Sequence, residues 1–358
     1  MSQFSQLLPL PPQFSCNDTM IVAGPCSAEN FLQVSATAQA LKQMGIGVLR
    51  AGLWKPRTHP GSFEGVGEMG LEWLVRVKHE TGMLVATEVA SRSHVRACLD
   101  AGIDIVWIGA RTAANPFAVQ EIADALNGHD EIIVLVKNPI SPDLELWIGA
   151  LQRVYNAGIK RLAAVHRGFV SAADTSFRNA PLWQFPIELK RRYPALPVLV
   201  DPSHITGDRQ QVTILAQQAL DMGFDGLMIE VHGNPDEAMS DNEQQLTPSM
   251  LESFLKTMKV RMGKSDNDEL AVLRQLIDQC DDELLTTLAQ RMDIVRKIGK
   301  LKQESGMQVV RHGRFNEILE KRKSQASSLH LSDNFIARLM KLIHEEAITQ
   351  QVSKSSKE

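Results

Sequence analysis

The chain of 358 residues contains no uninterrupted apolar run near the ~20 residues needed to cross a bilayer, so no membrane-spanning helix is expected. It also has little net charge. Its 38 Lys and Arg against 42 Asp and Glu leave −4 at neutral pH, with no basic stripe of the kind that binding a phosphate backbone demands. A general nucleic-acid partner is excluded on that ground. Cysteine is scarce: Cys16, Cys26, Cys98 and Cys280 are scattered without a pairing pattern, which speaks against a disulfide framework and suits a reducing compartment. Met1 to Asn17 carries Pro9, Pro11 and Pro12 but no basic residue, so it lacks the features of a signal peptide and the expected location is cytoplasmic.

What is present fits a soluble chain of two domains, with 44% hydrophobic and 22% charged residues. Eight short apolar or β-branched runs alternate with helix-length amphipathic segments: Met20–Gly24, Gly47–Arg50, Met83–Glu88, Ile103–Gly109, Ile132–Lys137, Arg161–His166, Pro197–Asp201 and Gly226–Val231. Strands that read as continuous apolar runs belong to parallel sheets covered on both faces, and eight such units close into an α/β TIM (β/α)8 barrel. An open doubly wound sheet would carry a glycine-rich dinucleotide loop after its first strand, where this chain has Gly24-Pro25-Cys26-Ser27.

The texture changes after Arg261. Gly263 to Asp268 is polar, and beyond it there is no proline and no strand pattern. Leu270, Leu273, Ile277, Cys280, Leu284, Leu288, Met292, Val295, Ile298 and Leu301 recur every three or four residues, which predicts one helix of about nine turns ending at Gly306. Two more helices are predicted, from about Arg311 to Ser324 and from Ser332, a candidate N-cap, to Gln351. Three helices of unequal length cannot bury the long one, so self-association is expected. The predicted organisation is an N-terminal extension (1–19), the barrel (20–262), a linker (263–268), an all-α three-helix domain that dimerises (269–352) and a disordered tail (353–358).

Reactive groups of a TIM barrel project from the C-terminal ends of its strands. Here Cys26 follows the first run, Arg50 and Lys55-Pro56-Arg57-Thr58 the second, and Glu88 closes the third. Arg111 follows the fourth, Lys137 ends the fifth, His166-Arg167 the sixth, Asp201-Pro202-Ser203-His204 the seventh, and Glu230 and His232 the eighth. A single charge after a strand is usually a solvated loop residue; eight polar groups in phase make a site. Arg50, Lys55, Arg57, Arg111, Lys137 and Arg167 form a cationic mouth in an acidic protein, which points to a phosphorylated substrate. Cys26, His204 and Glu230, with Asp241 in the following loop, supply ligands for one divalent ion, and manganese, iron, cobalt and zinc all accept such a set. Cys16, Cys98 and Cys280 are read as structural, the last two at core-facing helical spacing.

The motifs AGPCSAE (Ala23–Glu29), KPRT (Lys55–Thr58), IGAR (Ile108–Arg111), VKNP (Val136–Pro139), DPSH (Asp201–His204) and EVH (Glu230–His232) occur in order, and the chain over about Ile21 to Met258 resembles 3-deoxy-D-arabino-heptulosonate-7-phosphate (DAHP) synthase. It is similar to the compact branch shared with 3-deoxy-D-manno-octulosonate-8-phosphate synthase, and KPRT favours erythrose 4-phosphate over arabinose 5-phosphate. Residues 1–19 leave no room for an N-terminal regulatory domain, which is expected to be absent. The resemblance implies that Cys26, His204, Glu230 and Asp241 hold the metal, that Lys55, Arg111, Lys137 and Arg167 bind phosphoenolpyruvate, and that Arg57 and Thr58 hold the phosphate of erythrose 4-phosphate. Arg50, Glu88 and Asp201 join the substrate-binding set. Lys137 is the candidate proton donor.

On the long helix, Arg291 and Lys302 are eleven residues apart, about 16 Å and nearly on one face, so they can share a small dicarboxylate. Arg274 is about 25 Å from Arg291 along the axis and joins that site only from a second copy of the helix. Leu273-Arg274, Leu288–Met292, Ile298–Lys302, Arg314 and Gln351 resemble the all-helical chorismate mutases over about Asp268 to Gln351. The resemblance implies that Arg274, Arg291 and Arg314 grip the two carboxylates of chorismate while Lys302 and Gln351 meet its ether oxygen. Two positions depart from the family pattern: Phe315 follows Arg314 where a Glu is usual, and Arg311 stands in place of an Asp. The expected function is therefore bifunctional, with feedback between the domains. The alternative is a helical module that binds chorismate or prephenate only to regulate the barrel.

Overall fold

The computed structural model describes residues 4–55, 61, 63–170, 177–260, 268–308 and 312–352, and the chain divides into two compact units, Met1–Met262 and Gly263–Glu358. In the first unit, β1 (Ser15–Cys16) pairs antiparallel with β2 (Thr19–Gly24). Then β3 (Val48–Arg50), β4 (Leu84–Val89), β5 (Ile105–Ile108), β6 (Ile133–Lys137), β7 (Leu162–His166), β8 (Val198–Val200) and β9 (Gly226–Glu230) follow in order. Each of β2 to β9 pairs in parallel with the next, and β9 returns to β2 with Met20 opposite Gly226 and Gly24 opposite Glu230. The sheet is thus a closed eight-stranded parallel barrel, with the eight strands where the apolar runs predict them.

Those runs are continuous because both faces are buried. Val22, Val48, Trp107, Leu135, Val165 and Met228 fill the barrel interior, while Ile21, Leu49, Val106, Val134, Ala164 and Ile229 face the surrounding helices. The helix Leu144–Asn156 is representative: Trp147, Ile148, Leu151 and Val154 form its buried stripe, the Asp143 carboxylate caps it by accepting from Leu146 N, and Trp147 Nε1 donates to Val136 O on β6 at 3.1 Å. At the end of β2, Gly24 adopts φ +146°, and a Cβ there would stand 2.1 Å from Arg50 O. Only glycine lets β2 approach the end of β3 so closely.

The N-terminal extension is structural. Phe14 is 1% exposed and belongs to the interior cluster of the barrel, and Phe4 lies edge-on to Tyr155 and Tyr193 with ring centroids 5.3 and 4.9 Å away. The pairing of Ser15–Cys16 with Thr19–Met20 precedes the first run read from the sequence; a two-residue strand has no periodicity to detect.

In the second unit, helices span Asp268–Glu304, His312–Ser328 and Asp333–Val352. Ser332 Oγ accepts from Phe335 N at 3.2 Å, so the predicted cap forms. The middle helix runs four residues past its predicted end, because no breaker intervenes before His330, which turns the chain at φ +58°. Cys280 corrects one expectation: it is exposed in the single chain, whereas Cys98 is buried as its spacing predicts. The long helix extends about 55 Å, and among its described side chains only Val295 falls below a tenth exposed. Leu273, Leu276, Ile277, Leu284, Leu285 and Leu301 are all more than half or about half exposed. No described helix is long and apolar enough to cross a membrane.

Candidate active sites

The strand ends deliver their groups into one buried cluster. Arg50, 2% exposed at the end of β3, donates from Nη2 to Glu230 Oε1 on β9 at 3.0 Å and lies over the Trp107 ring at 4.9 Å. Glu88 on β4 holds the same indole by accepting from Trp107 Nε1 at 3.0 Å. Lys137 Nζ at the end of β6 donates to Asp201 Oδ2 at 2.8 Å. Asp201 Oδ1 caps the short helix Pro202–Thr206 by accepting from His204 N at 3.0 Å, while Oδ2 lies 2.7 Å from His204 Nδ1. Burial raises the Asp201 carboxyl, but His204, Lys137 and Arg50 together hold it well below the usual range.

Across the mouth, Cys26 Sγ donates to Asp241 Oδ2 at 3.1 Å. Lys55 Nζ contacts the Cys26 sulfur and lies 3.3 Å from Ser240 Oγ and 3.5 Å from Asp241 Oδ2. Burial and the Glu230 charge push the Cys26 thiol up, whereas Lys55, His204 and Arg178 outweigh burial at Asp241 and lower it. Arg167 after β7 is pushed down to about 10, first by burial and then by Arg178 and Arg111, opposed by Asp201. Arg178 and Arg111 thus add positive charge felt at Arg167, with Arg111 exposed on the turn Ala110–Ala113. Such a field favours a multiply charged anion.

The ligand candidates approach in two pairs. Cys26 meets Asp241 directly, and His204 Nε2 stands 3.7 Å from Glu230 Oε1. Among the described residues, no three His, Cys, Asp or Glu side chains are gathered at coordination spacing. Their chemistry still fits a divalent transition ion: a thiol, an imidazole and two carboxylates converge on one buried region, and the Asp201 carboxylate beside Nδ1 turns Nε2 of His204 toward Glu230. A carboxylate behind the far nitrogen of a ligating histidine is a recurrent support of metal sites.

Arg57 and Thr58 lie outside the described residues, and His232, 5% exposed, has its Nε2 3.6 Å from Glu29 Oε2. Four functional neighbours were not legible as such in the sequence. Asn179 Oδ1 accepts from Arg167 Nη1 at 2.8 Å and its Nδ2 donates to His204 O at 2.6 Å. Arg178 donates to Asp241 Oδ1 at 2.9 Å, Gln244 Nε2 donates to Glu230 Oε2 at 2.6 Å, and Gln245 Oε1 accepts from Cys26 N at 2.9 Å. Polar residues in loops carry no periodic signal, so only the folded chain brings them to the site.

In the helical unit, Lys302 Nζ donates to Gln351 Oε1 at 3.4 Å, joining the long and last helices. Gly299 eases this crossing, since a Cβ there would stand a tight 3.1 to 3.4 Å from Gln351 atoms. Arg291 has a buried Nη1 without a hydrogen-bond partner among the described residues, and burial followed by the Arg322 charge lowers its pKa. A buried, unpaired guanidinium nitrogen beside a second cation is a place for an anion. Arg322, from the middle helix, is a further residue that spacing on the long helix did not reveal. Arg274 is exposed, and the side chains of Arg314 and Phe315 lie outside the described residues, as does Arg311.

A closed parallel barrel with cations and a potential metal set at its strand ends defines a TIM-barrel enzyme acting on phosphorylated substrates, here joined to a helical unit with an anion-seeking arginine. The chain belongs to the DAHP synthetase I family, whose model matches residues 15–264, and a chorismate mutase type II model matches residues 273–352. Over 239 residues it is 34% identical to the phospho-2-dehydro-3-deoxyheptonate aldolase of Thermotoga maritima, covering 67% of this chain and 68% of that one. It is 27% identical over 256 residues to the 2-dehydro-3-deoxyphosphooctonate aldolase of Nitratidesulfovibrio vulgaris, covering 66% of this chain and 90% of the relative. A crystal structure of the Thermotoga maritima DAHP synthase superposes with a TM-score of 0.60 at 32% identity, covering 67% of this chain and 68% of that one. The chain thus joins a DAHP synthase domain, a transferase, to a chorismate mutase domain, an isomerase.

Proposed function

We propose that the barrel condenses phosphoenolpyruvate with erythrose 4-phosphate and water to give DAHP and phosphate, using one divalent ion held by Cys26, His204, Glu230 and Asp241. The observation that carries this reading is the convergence of those four side chains with Arg50, Lys55, Lys137 and Arg167 in one buried mouth. When bound, the ion supplies Lewis acidity toward the aldehyde oxygen. The side chains of the chain do the rest. Lys55, Arg111, Lys137 and Arg167 bind the phosphate and carboxylate of phosphoenolpyruvate, and Arg57 with Thr58 binds the phosphate of the sugar, so the enol carbon faces the aldehyde. A carbon–carbon bond forms, water adds at the cationic carbon, and phosphate leaves with the bonding electrons. Lys137, hydrogen-bonded to Asp201, holds a proton beside the reacting carbons. Glu88 keeps Trp107 beneath Arg50.

The helical unit converts chorismate to prephenate. A Claisen rearrangement needs no acid, base or metal; Arg274, Arg291 and Arg314 restrict the two carboxylates, and Lys302 and Gln351 stabilise charge developing on the ether oxygen. The exposed apolar face of the long helix supports a homodimer through this unit, with Arg274 reaching the site of the partner. We assign the protein to the cytoplasm, with small-molecule substrates and neither nucleic acid nor membrane as partner. Feedback between the two activities follows if chorismate or prephenate binds two states of the chain unequally.

Phe315 and Arg311, at positions where the family pattern has acidic residues, favour a second reading in which the helical unit only binds chorismate or prephenate and regulates the barrel. Tight chorismate binding without prephenate formation selects that reading. For the barrel, Cys26→Ala is expected to abolish both manganese binding in equilibrium dialysis and DAHP formation. Full activity of the wild-type chain in excess chelator contradicts the metal assignment, and consumption of arabinose 5-phosphate in place of erythrose 4-phosphate contradicts the sugar assignment.

A further inference from the structure

Gln244 and Gln245 are each 1% exposed, unusual burial for side-chain amides, and they reach different partners. They follow Asp241, which adopts the left-handed conformation at φ +47° and starts the tight turn Asn242–Gln244. Gln245 Nε2 donates to Ser240 O at 2.9 Å, and its Oε1 accepts from Cys26 N at 2.9 Å. Gln244 lies between a cation and an anion. Its Oε1 accepts from Arg178 Nη1 at 2.6 Å, its Nε2 donates to Glu230 Oε2 at 2.6 Å, and the same Arg178 nitrogen donates to Asp241 Oδ1 at 2.9 Å. The amide orientation is fixed by its neighbours. Turned over, it would set NH2 against guanidinium and oxygen against carboxylate.

We propose that Arg178 and Gln244 form a clamp that commits one oxygen of each carboxylate ligand and presents the other. Glu230 Oε2 and Asp241 Oδ1 are tied to the clamp; Glu230 Oε1, which also accepts from Arg50 Nη2 at 3.0 Å, stands 3.7 Å from His204 Nε2, and Asp241 Oδ2, 3.5 Å from Lys55 Nζ, accepts from Cys26 Sγ at 3.1 Å. Both carboxylates then bind an ion through one oxygen. A sulfur, a nitrogen and two oxygens suit a small transition ion and leave positions open for substrate, whereas calcium takes six to eight oxygens and often bidentate carboxylates. Gln244 and Arg178 are positioning residues, and Gln245 acts alike on the backbone of Cys26. The clamp rests on the proposed reading that Cys26, His204, Glu230 and Asp241 are the ligands.

The test titrates the intact chain, stripped of metal, with Co2+ and follows the thiolate-to-metal charge-transfer absorption of Cys26 together with the ligand-field bands. The wild-type chain is expected to show the charge-transfer band. Gln244→Leu and Arg178→Met are expected to retain it while Co2+ affinity falls about 10- to 100-fold and the ligand-field bands change as a freed carboxylate oxygen joins the ion. Wild-type affinity and bands in both variants overturn the clamp. Cys26→Ala separates the two claims: undiminished Co2+ binding in that variant overturns the ligand assignment itself, whereas its loss of binding upholds that assignment, and Gln244→Leu and Arg178→Met then decide the clamp. Should Gln244→Leu fail to fold, Arg178→Met decides, because the Arg178 side chain is 51% exposed and its removal opens no core.

Discussion

His166 ends β7 fully buried, tilted against Trp147, Phe169 and Trp183 at centroid distances of 5.4 to 6.3 Å, and neither ring nitrogen makes a hydrogen bond of good geometry. Burial drops its pKa from 6.5 to about 3, a backbone contact from Pro181 offsetting only part of the effect. Below pH 6.5 the unfolded chain therefore takes up a proton that the folded barrel refuses, and stability falls as the pH drops from 6.5 toward about 3. Between pH 6.5 and 5 this single residue costs about 2 kcal/mol. Urea unfolding across that range should show the loss, and His166→Leu should flatten it; an equally steep loss in the variant rules His166 out as its source. Residues with a periodic or phased position were legible in the sequence: Arg50, Lys137 and Asp201 each close a run. Gln244 and Arg178 were not, because their roles arise from pairing with each other 66 residues apart. An amide in a polar loop looks like any solvated side chain until Glu230 is found opposite it.

At the scale of elements, the eight strands were readable because burial on both faces removes polar residues from every run, and the long helix because its stripe repeats without interruption. The N-terminal plug was not readable. Phe14 fills the base of the barrel from a segment whose prolines and polar residues suggest only an extension. The crossing of the long and last helices shows how little sequence such a contact needs, since Gly299 leaves room for Gln351 where a Cβ would be tight, next to the Lys302–Gln351 hydrogen bond. Gly299→Leu should push the last helix outward, and a misplacement near 1 Å lowers chorismate turnover on the order of 10²-fold. DAHP formation measured on the same preparation should stay near wild type. Unchanged prephenate formation would remove Lys302 and Gln351 from the mutase site.

At the scale of the molecule, the long helix leaves a row of large apolar side chains exposed in the single chain. Ile277 and Leu284, one heptad apart, are 59% and 52% exposed on a helix that has outrun its two companions. Burying such a face against a second copy removes roughly 1.5–3 kcal/mol of apolar exposure per large side chain. The double substitution Ile277→Asp and Leu284→Asp is expected to convert the proposed dimer to monomer in sedimentation velocity and to take chorismate mutase activity with it. A monomer that retains full mutase activity would show that the site is complete within one chain, and Arg274 would have no role in it.

The bifunctional reading is tested most directly by one time course. The intact metal-loaded chain is supplied with phosphoenolpyruvate, erythrose 4-phosphate and chorismate, and products are followed by NMR with and without a chelator. DAHP, inorganic phosphate and prephenate should all accumulate with metal present, and prephenate alone once the ion is removed. Chorismate that binds yet never turns over, or DAHP formation that persists in the chelator, would contradict the account.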